Sequence, residues 1–140
     1  MTGPDRSSIV VVGVDGSAHG ERALHWAEKY AHAHGSTLRL VCAWELPLSL
    51  GRPIPHEGYE PVAAAREIVE KAASGLSIGP ERIEQMVPVG HAGEVLVDAS
   101  RDAELLVVGH RGHGAIADRL VGSVSGYCLH HAHVPVVVVN

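Results

Sequence analysis

Apolar positions along this chain follow two alternating rhythms. Short continuous runs of aliphatic and β-branched residues read as strands buried on both faces, and between them apolar residues recur three and four apart, the spacing of one helix face. Residues 9–14, Ile-Val-Val-Val-Gly-Val, form the first run, which passes into Asp15-Gly16-Ser17, a helix start. Ala23, Leu24, Ala27, Tyr30 and Ala31 then share one face, with Gly35 as the stop. Residues 37–44 read as a second strand. Residues 45–60 contain Pro47, Pro53 and Pro55, so they are expected neither to pair as strand nor to continue as helix, and to form a long surface loop.

Pro61 suits the first turn of a second helix, in which Ala65, Ile68, Val69, Ala72 and Leu76 repeat at helical spacing before Gly75 and Gly79 end it. Residues 83–89 read as a third strand, 93–100 as a short helix with Val95, Leu96 and Ala99 on one face, and 105–109 as a fourth strand. A helix over 123–131 and a strand over 135–139 complete the order β-α-β-α-β-α-β-α-β. That order predicts a single-domain, open, parallel five-stranded α/β sheet with helices on both faces, Rossmann-like in kind. Residues 1–140 read as one domain, with 1–7 as a disordered leader. In such sheets ligands bind beyond the carboxyl ends of the strands, where the strand order reverses. Asp15, Ala43 with its neighbours, and the loop beginning at Gly109 should converge there.

Composition narrows the function classes. Hydrophobic residues make up 46% of the 140 positions and charged residues 19%, which suits one soluble core. The apolar runs are far shorter than the roughly 20 residues of a membrane span, and the polar leader lacks the apolar stretch of a signal peptide. A cytoplasmic protein without a membrane partner is expected. A net charge of -5 offers no basic surface for nucleic acid. Protonating all 11 histidines would move that charge to +6, so solubility should depend on pH between about pH 7 and pH 5. Cys42 and Cys128, both in apolar contexts, read as packing residues.

The chemistry concentrates in the loop from Gly109 to Ser125. Gly109, Gly112 and Gly122 precede a helix start, and Ser123 and Ser125 add hydroxyls in its first turn. Phosphate asks for this combination, because glycines let backbone approach closely and helix N-terminal amides supply donors. It is not a Walker loop, since Gly122-Ser123 has no lysine and Lys29 and Lys71 are the only lysines in the chain. Residues 112–117 match the dinucleotide pattern by accident: they lie near the C-terminus with no acidic residue after Asp118 to hold a ribose. Arg111 and Arg119 are the cations within the loop. His110 with His113, and His130, His131 and His133, lack the completing cysteine or carboxylate of a metal set.

The spacing Gly-x2-Gly-x9-Gly-Ser, met by Gly109, Gly112, Gly122 and Ser123, resembles the signature of the ATP-binding branch of the universal stress proteins. The resemblance extends to residues 12–17, 122–125 and 134–138, nearly the whole chain. It implies a fold of the adenine-nucleotide alpha-hydrolase-like type and ATP as a regulatory ligand, with Mg²⁺ accompanying the phosphates. Residues matching Gly109, Gly112, Gly122, Ser123 and Ser125 would surround ribose and phosphates, Asp15 would help hold the nucleotide, and backbone near Ala43 would meet adenine; Val124, between the two serines, joins the nucleotide-binding set, and so does Arg111, as a loop cation able to neutralise phosphate charge. It further implies a homodimer paired through the strand from Val134 to Val139. Slow ATP hydrolysis or autophosphorylation, and binding of AMP or a cyclic adenine nucleotide, are the alternatives. No residue is expected to be catalytic.

Overall fold

The computed structural model of the chain describes residues 8–46, 48–49, 51–53, 60–110 and 122–140. Five strands, β1 (Ile9–Gly13), β2 (Thr37–Val41), β5 (Ile83–Met86), β6 (Leu105–Gly109) and β7 (Val136–Val139), form one sheet in the order β5-β2-β1-β6-β7, and every pairing is parallel. β1 lies at the centre, and Val10, Val11 and Val12 are fully buried, which explains their unbroken apolar run. Two helices cover each face. α1 (Ala18–His34) and α2 (Pro61–Ser74) enclose one half of the core with Val10, Val12, Leu38, Leu40 and Val107. α3 (Ala92–Ala99) and α4 (Ser123–His131) enclose the other half with Val11, Val41, Leu106 and Val108.

Three expectations need correction. Residues 45–60 do contain paired backbone, because β3 (Leu48–Ser49) and β4 (Arg52–Pro53) form a two-residue antiparallel ladder around Gly51, whose φ of 75° makes the turn. Pro53 is tolerated there because so small a ladder asks for no amide at that position. The second strand ends at Val41 rather than residue 44, and the third at Met86 rather than residue 89. Both rejoin once further on, through a parallel bridge between Trp44 and Val89. Pro88 lacks an amide, so the ladder cannot run through it, yet its carbonyl accepts from the Trp44 amide at 3.2 Å. Leu76, finally, lies beyond the end of α2, and it still packs against the core near Ile78. The proposed leader, residues 1–7, lies outside the described residues.

Candidate functional site

Strand order reverses between β1 and β6, since β1 continues leftward to β2 while β6 continues rightward to β7. At the carboxyl ends of these two strands lies a cleft of about 560 Å³, counted with its open mouth. Asp15, Ala43, Gly109, Val124 and Ser125 line it, together with Gly13, Gly20, Ala92 and Leu96. The first turns of α1, α3 and α4 therefore all face this cleft. Their amides and dipoles make its walls attractive to an anion.

The α1 wall is organised by Asp15. Ser17 is the N-cap of α1, its hydroxyl accepting from the Gly20 amide at 3.1 Å. Asp15 Oδ1 in turn accepts from the Ser17 amide at 2.9 Å and from the Ser17 hydroxyl. The carboxylate thus orients the cap and is not itself the cap. Gly20 makes this possible: a Cβ there would stand 2.8 Å from Asp15 Oδ1.

The α4 wall is tied to the end of β6. Gly122, the N-cap residue, donates from its amide to the His110 carbonyl at 2.9 Å and offers no side chain of its own. The amides of Ser123, Val124 and Ser125 sit in the first turn, where helix geometry supplies no acceptor within the helix. The two serines differ. Ser123 is exposed, whereas Ser125 is 2% exposed and its hydroxyl lies 3.0 Å from the His110 carbonyl and 3.2 Å from that of Gly122. Ser125 is a latch joining α4 to β6, and its lone pairs rather than its proton face any ligand. Gly122 and Ser123 adjoin the cleft without lining it.

Gly109 has a packing reason of its own. A Cβ on it would meet the His19 carbonyl oxygen at 2.7 Å, so the end of β6 lies directly against the first turn of α1. Beyond β2, the Cys42 amide donates to Met86. Alternation in a parallel ladder then turns the amide and carbonyl of Ala43 toward the β1 side, where β1 has already ended at Gly13. Cys42 beside it is buried, and burial, helped by the charge of Asp15, pushes its thiol up to about 11.

The structure thus gathers Asp15, Ala43, Gly109, Val124 and Ser125 from four separate segments. Arg111 and Gly112 lie outside the described residues, as does Arg119. The α3 wall, Ala92 and Leu96, carries no motif. It was accessible only through topology, because α3 begins near the carboxyl end of β5. Leu96 forms part of the floor, and a Cβ on Gly13 would come within 2.9 Å of its Cδ1. Among the described residues, no group of three or more His, Cys, Asp or Glu is placed to hold a metal ion. No helix among them is long and apolar enough to cross a membrane.

Comparison with known proteins gives the family. The model of the Universal stress protein family matches residues 7–140. Universal stress protein Rv2623 of Mycobacterium tuberculosis is 36% identical over 150 residues, which cover 100% of this chain and 50% of the relative. Universal stress protein Rv2624c of the same organism is 33% identical over 140 residues, with coverage of 99% and 50%. The chain spans about half the length of these curated relatives. Among solved structures, that of a universal stress protein in complex with cAMP is 32% identical, with a TM-score of 0.65 and coverage of 95% of this chain and 96% of the other. This chain belongs to the universal stress protein family.

Proposed function

We propose that this chain binds an adenine nucleotide, with ATP as its regulatory ligand, in the cleft between the ends of β1 and β6, and that occupancy rather than turnover carries a cytoplasmic stress signal. The observation that carries this reading is the convergence of three helix N-termini and Asp15 on the point where the strand order reverses. The related structure in complex with cAMP, similar over nearly the whole of both chains, supports the adenine-nucleotide class.

Each residue then has a task. Ala43 presents backbone amide and carbonyl to the adenine edge. One carboxylate can accept two hydrogen bonds from ribose hydroxyls, which suits Asp15, at the end of β1, to hold the ribose. Gly109, Gly122, Ser123, Val124 and Ser125 surround ribose and phosphates, with Arg111 and Gly112, which lie outside the described residues. Mg²⁺ would travel on the phosphates, keeping waters as its main ligands. A homodimer would form through the strand from Val134 to Val139, because β7 is an edge of the sheet with four half-exposed valines.

A second reading, AMP or a cyclic adenine nucleotide, is favoured by the ligand of the related structure. Hydrolysis or autophosphorylation has less support. Asp15 is the only ionisable residue among the described ones lining the cleft, and it is engaged in holding the α1 cap. The test is to purify the protein without nucleotide, denature it and resolve the released small molecules by anion exchange. Adenine nucleotide is expected, as is a thermal shift with ATP worth about 2.7 kcal/mol at a hundredfold excess over Kd. No released nucleotide, together with no shift from ATP, AMP or cAMP, would overturn the proposal.

A further inference from the structure

The α3 wall of the cleft stands at the Ala43 end, and backbone bonds fix it there. Just past Ala43, the Trp44 amide donates to the Pro88 carbonyl at 3.2 Å, and the Gly90 amide donates back to the Trp44 carbonyl at 2.8 Å. The chain enters α3 two residues later, and Ala92 and Leu96, one helical turn apart, line the cleft. The α4 wall belongs to the other end, since Gly122 and Ser125 are bonded to His110, the residue after β6.

Two glycines let α3 press inward. Gly13, at the end of β1, has no side chain, and Leu96 fills that place: a Cβ on Gly13 would stand 2.9 Å from Leu96 Cδ1 and 3.3 Å from Cδ2. Gly93, buried in the first turn of α3, lies against the Tyr127 ring of α4, which a Cβ there would meet at 2.8 Å. His131 stacks on that same ring, with centroids 4.0 Å apart. α3 is thus packed against β1 through one glycine and against α4 through the other, and it cannot retreat without opening both contacts. Leu96 is 4% exposed, so its methyl groups set how deep the cleft is at this end. Neither Ala92 nor Leu96 carries a polar side-chain atom, and a close, apolar wall of this kind suits a flat heteroaromatic ring rather than ribose or phosphate.

We propose that Ala92 and Leu96 are specificity-determining residues that set the room around the purine ring, so that the cleft admits unsubstituted adenine and rejects ring substituents. The inference rests on the adenine-nucleotide reading above. It divides recognition of the base between two elements: backbone at Ala43 reads the hydrogen-bonding edge, and the α3 side chains read the shape.

Calorimetric titration of the intact protein tests it, with ATP, AMP, and AMP carrying a single methyl group on the exocyclic amine or on either ring C–H carbon. Wild type should bind at least one methylated form about tenfold or more weakly than AMP, the scale of one methyl group without room. Leu96→Ala, with its fold checked by a thermal melt, should bring that ratio to within about threefold. Ala92 is half-exposed, so Ala92→Val narrows the same wall without disturbing the core. It should weaken AMP and ATP by the same factor, about tenfold, because the base is affected and the phosphate tail is not. Should Leu96→Ala fail to fold, Ala92→Val decides alone. Equal wild-type affinity for AMP and all its methylated forms overturns the inference, as does an unchanged ratio in folded Leu96→Ala or undiminished AMP affinity in Ala92→Val. Failure of wild type to bind either ATP or AMP defeats the adenine-nucleotide reading itself.

Discussion

The backbone of His19 occupies the place where a side chain on residue 109 would stand. A Cβ built on Gly109 comes within 2.7 Å of the His19 carbonyl oxygen and 2.8 Å of its carbonyl carbon, distances that real Cβ atoms essentially never show. A glycine in a phosphate-type loop thus has a structural reason before any ligand arrives. Because the neighbour is helix backbone, it cannot swing aside. Gly109→Ala should lower stability by about 2 kcal/mol, the usual cost of overpacking, as read from a urea midpoint in the absence of nucleotide. Unchanged stability would return Gly109 to a role in ligand approach alone.

The two serines of the α4 wall separate by burial. Ser125→Ala removes the hydroxyl that latches α4 to the His110 carbonyl, and should cost about 1 kcal/mol in chemical denaturation. Ser123 is exposed, so Ser123→Ala should change stability by less than about 0.5 kcal/mol while weakening ATP binding several-fold. Equal stability losses in the two variants would contradict this division.

Asp15 and Ser17 should separate in the same manner. Ser17→Ala deletes the α1 cap and should cost about 1 kcal/mol. Asp15→Ala should cost a similar amount, since it releases the cap, and should also reduce ATP affinity about tenfold or more through the lost ribose contact. Titration calorimetry on both variants decides it: nucleotide affinity falling equally in the two would mean that Asp15 acts only through the cap.

Arg39 holds the amino-terminal side of the sheet together. From β2 it donates to Glu84 on β5 at 2.7 Å, to Asp102 at 2.7 Å and to the Ala99 carbonyl at 2.8 Å, and the Asp102 bond does most to raise its pKa. Its side chain is 12% exposed, whereas those of Glu84 and Asp102 are 45% and 41% exposed. Arg39→Met should therefore destabilise by about 2 kcal/mol and Glu84→Gln by less than about 1 kcal/mol. A lysine cannot span three acceptors with a planar fork, so Arg39→Lys should recover only part of the loss in thermal melts.

The cysteines give a pH dependence of fixed sign. Burial raises the thiols of Cys42 and Cys128 to about 11, from a reference of 9.0. Between those values the unfolded chain loses thiol protons that the folded chain keeps, so stability is fully present below about pH 9 and falls as pH rises toward 11. Urea midpoints from pH 8 to pH 10.5 should decline, and less steeply in a Cys42→Ala, Cys128→Ala double variant. Native protein at pH 7.5 should resist thiol reagents.

What the sequence determined by itself was local. The buried runs, the helix over 123–131 and the stop at Gly35 follow from side-chain periodicity and capping over a few neighbouring positions, and the structure keeps them. The glycine spacing and Asp15 likewise marked the region of the cleft, because turns and helix starts announce themselves in adjacent residues. Tertiary structure decided the rest. Which strands lie side by side, and hence that β1 and β6 flank the reversal, depends on pairings such as Val12 with Val107 that leave no local trace. The same holds for the unmarked α3 wall, for Trp44 meeting Val89 past a proline, and for the burial that turns Ser125 into a latch while Ser123 stays exposed. Gly109 shows the division most plainly: its motif was legible in the chain, but the requirement for it comes from a carbonyl on His19 that only the folded sheet brings near.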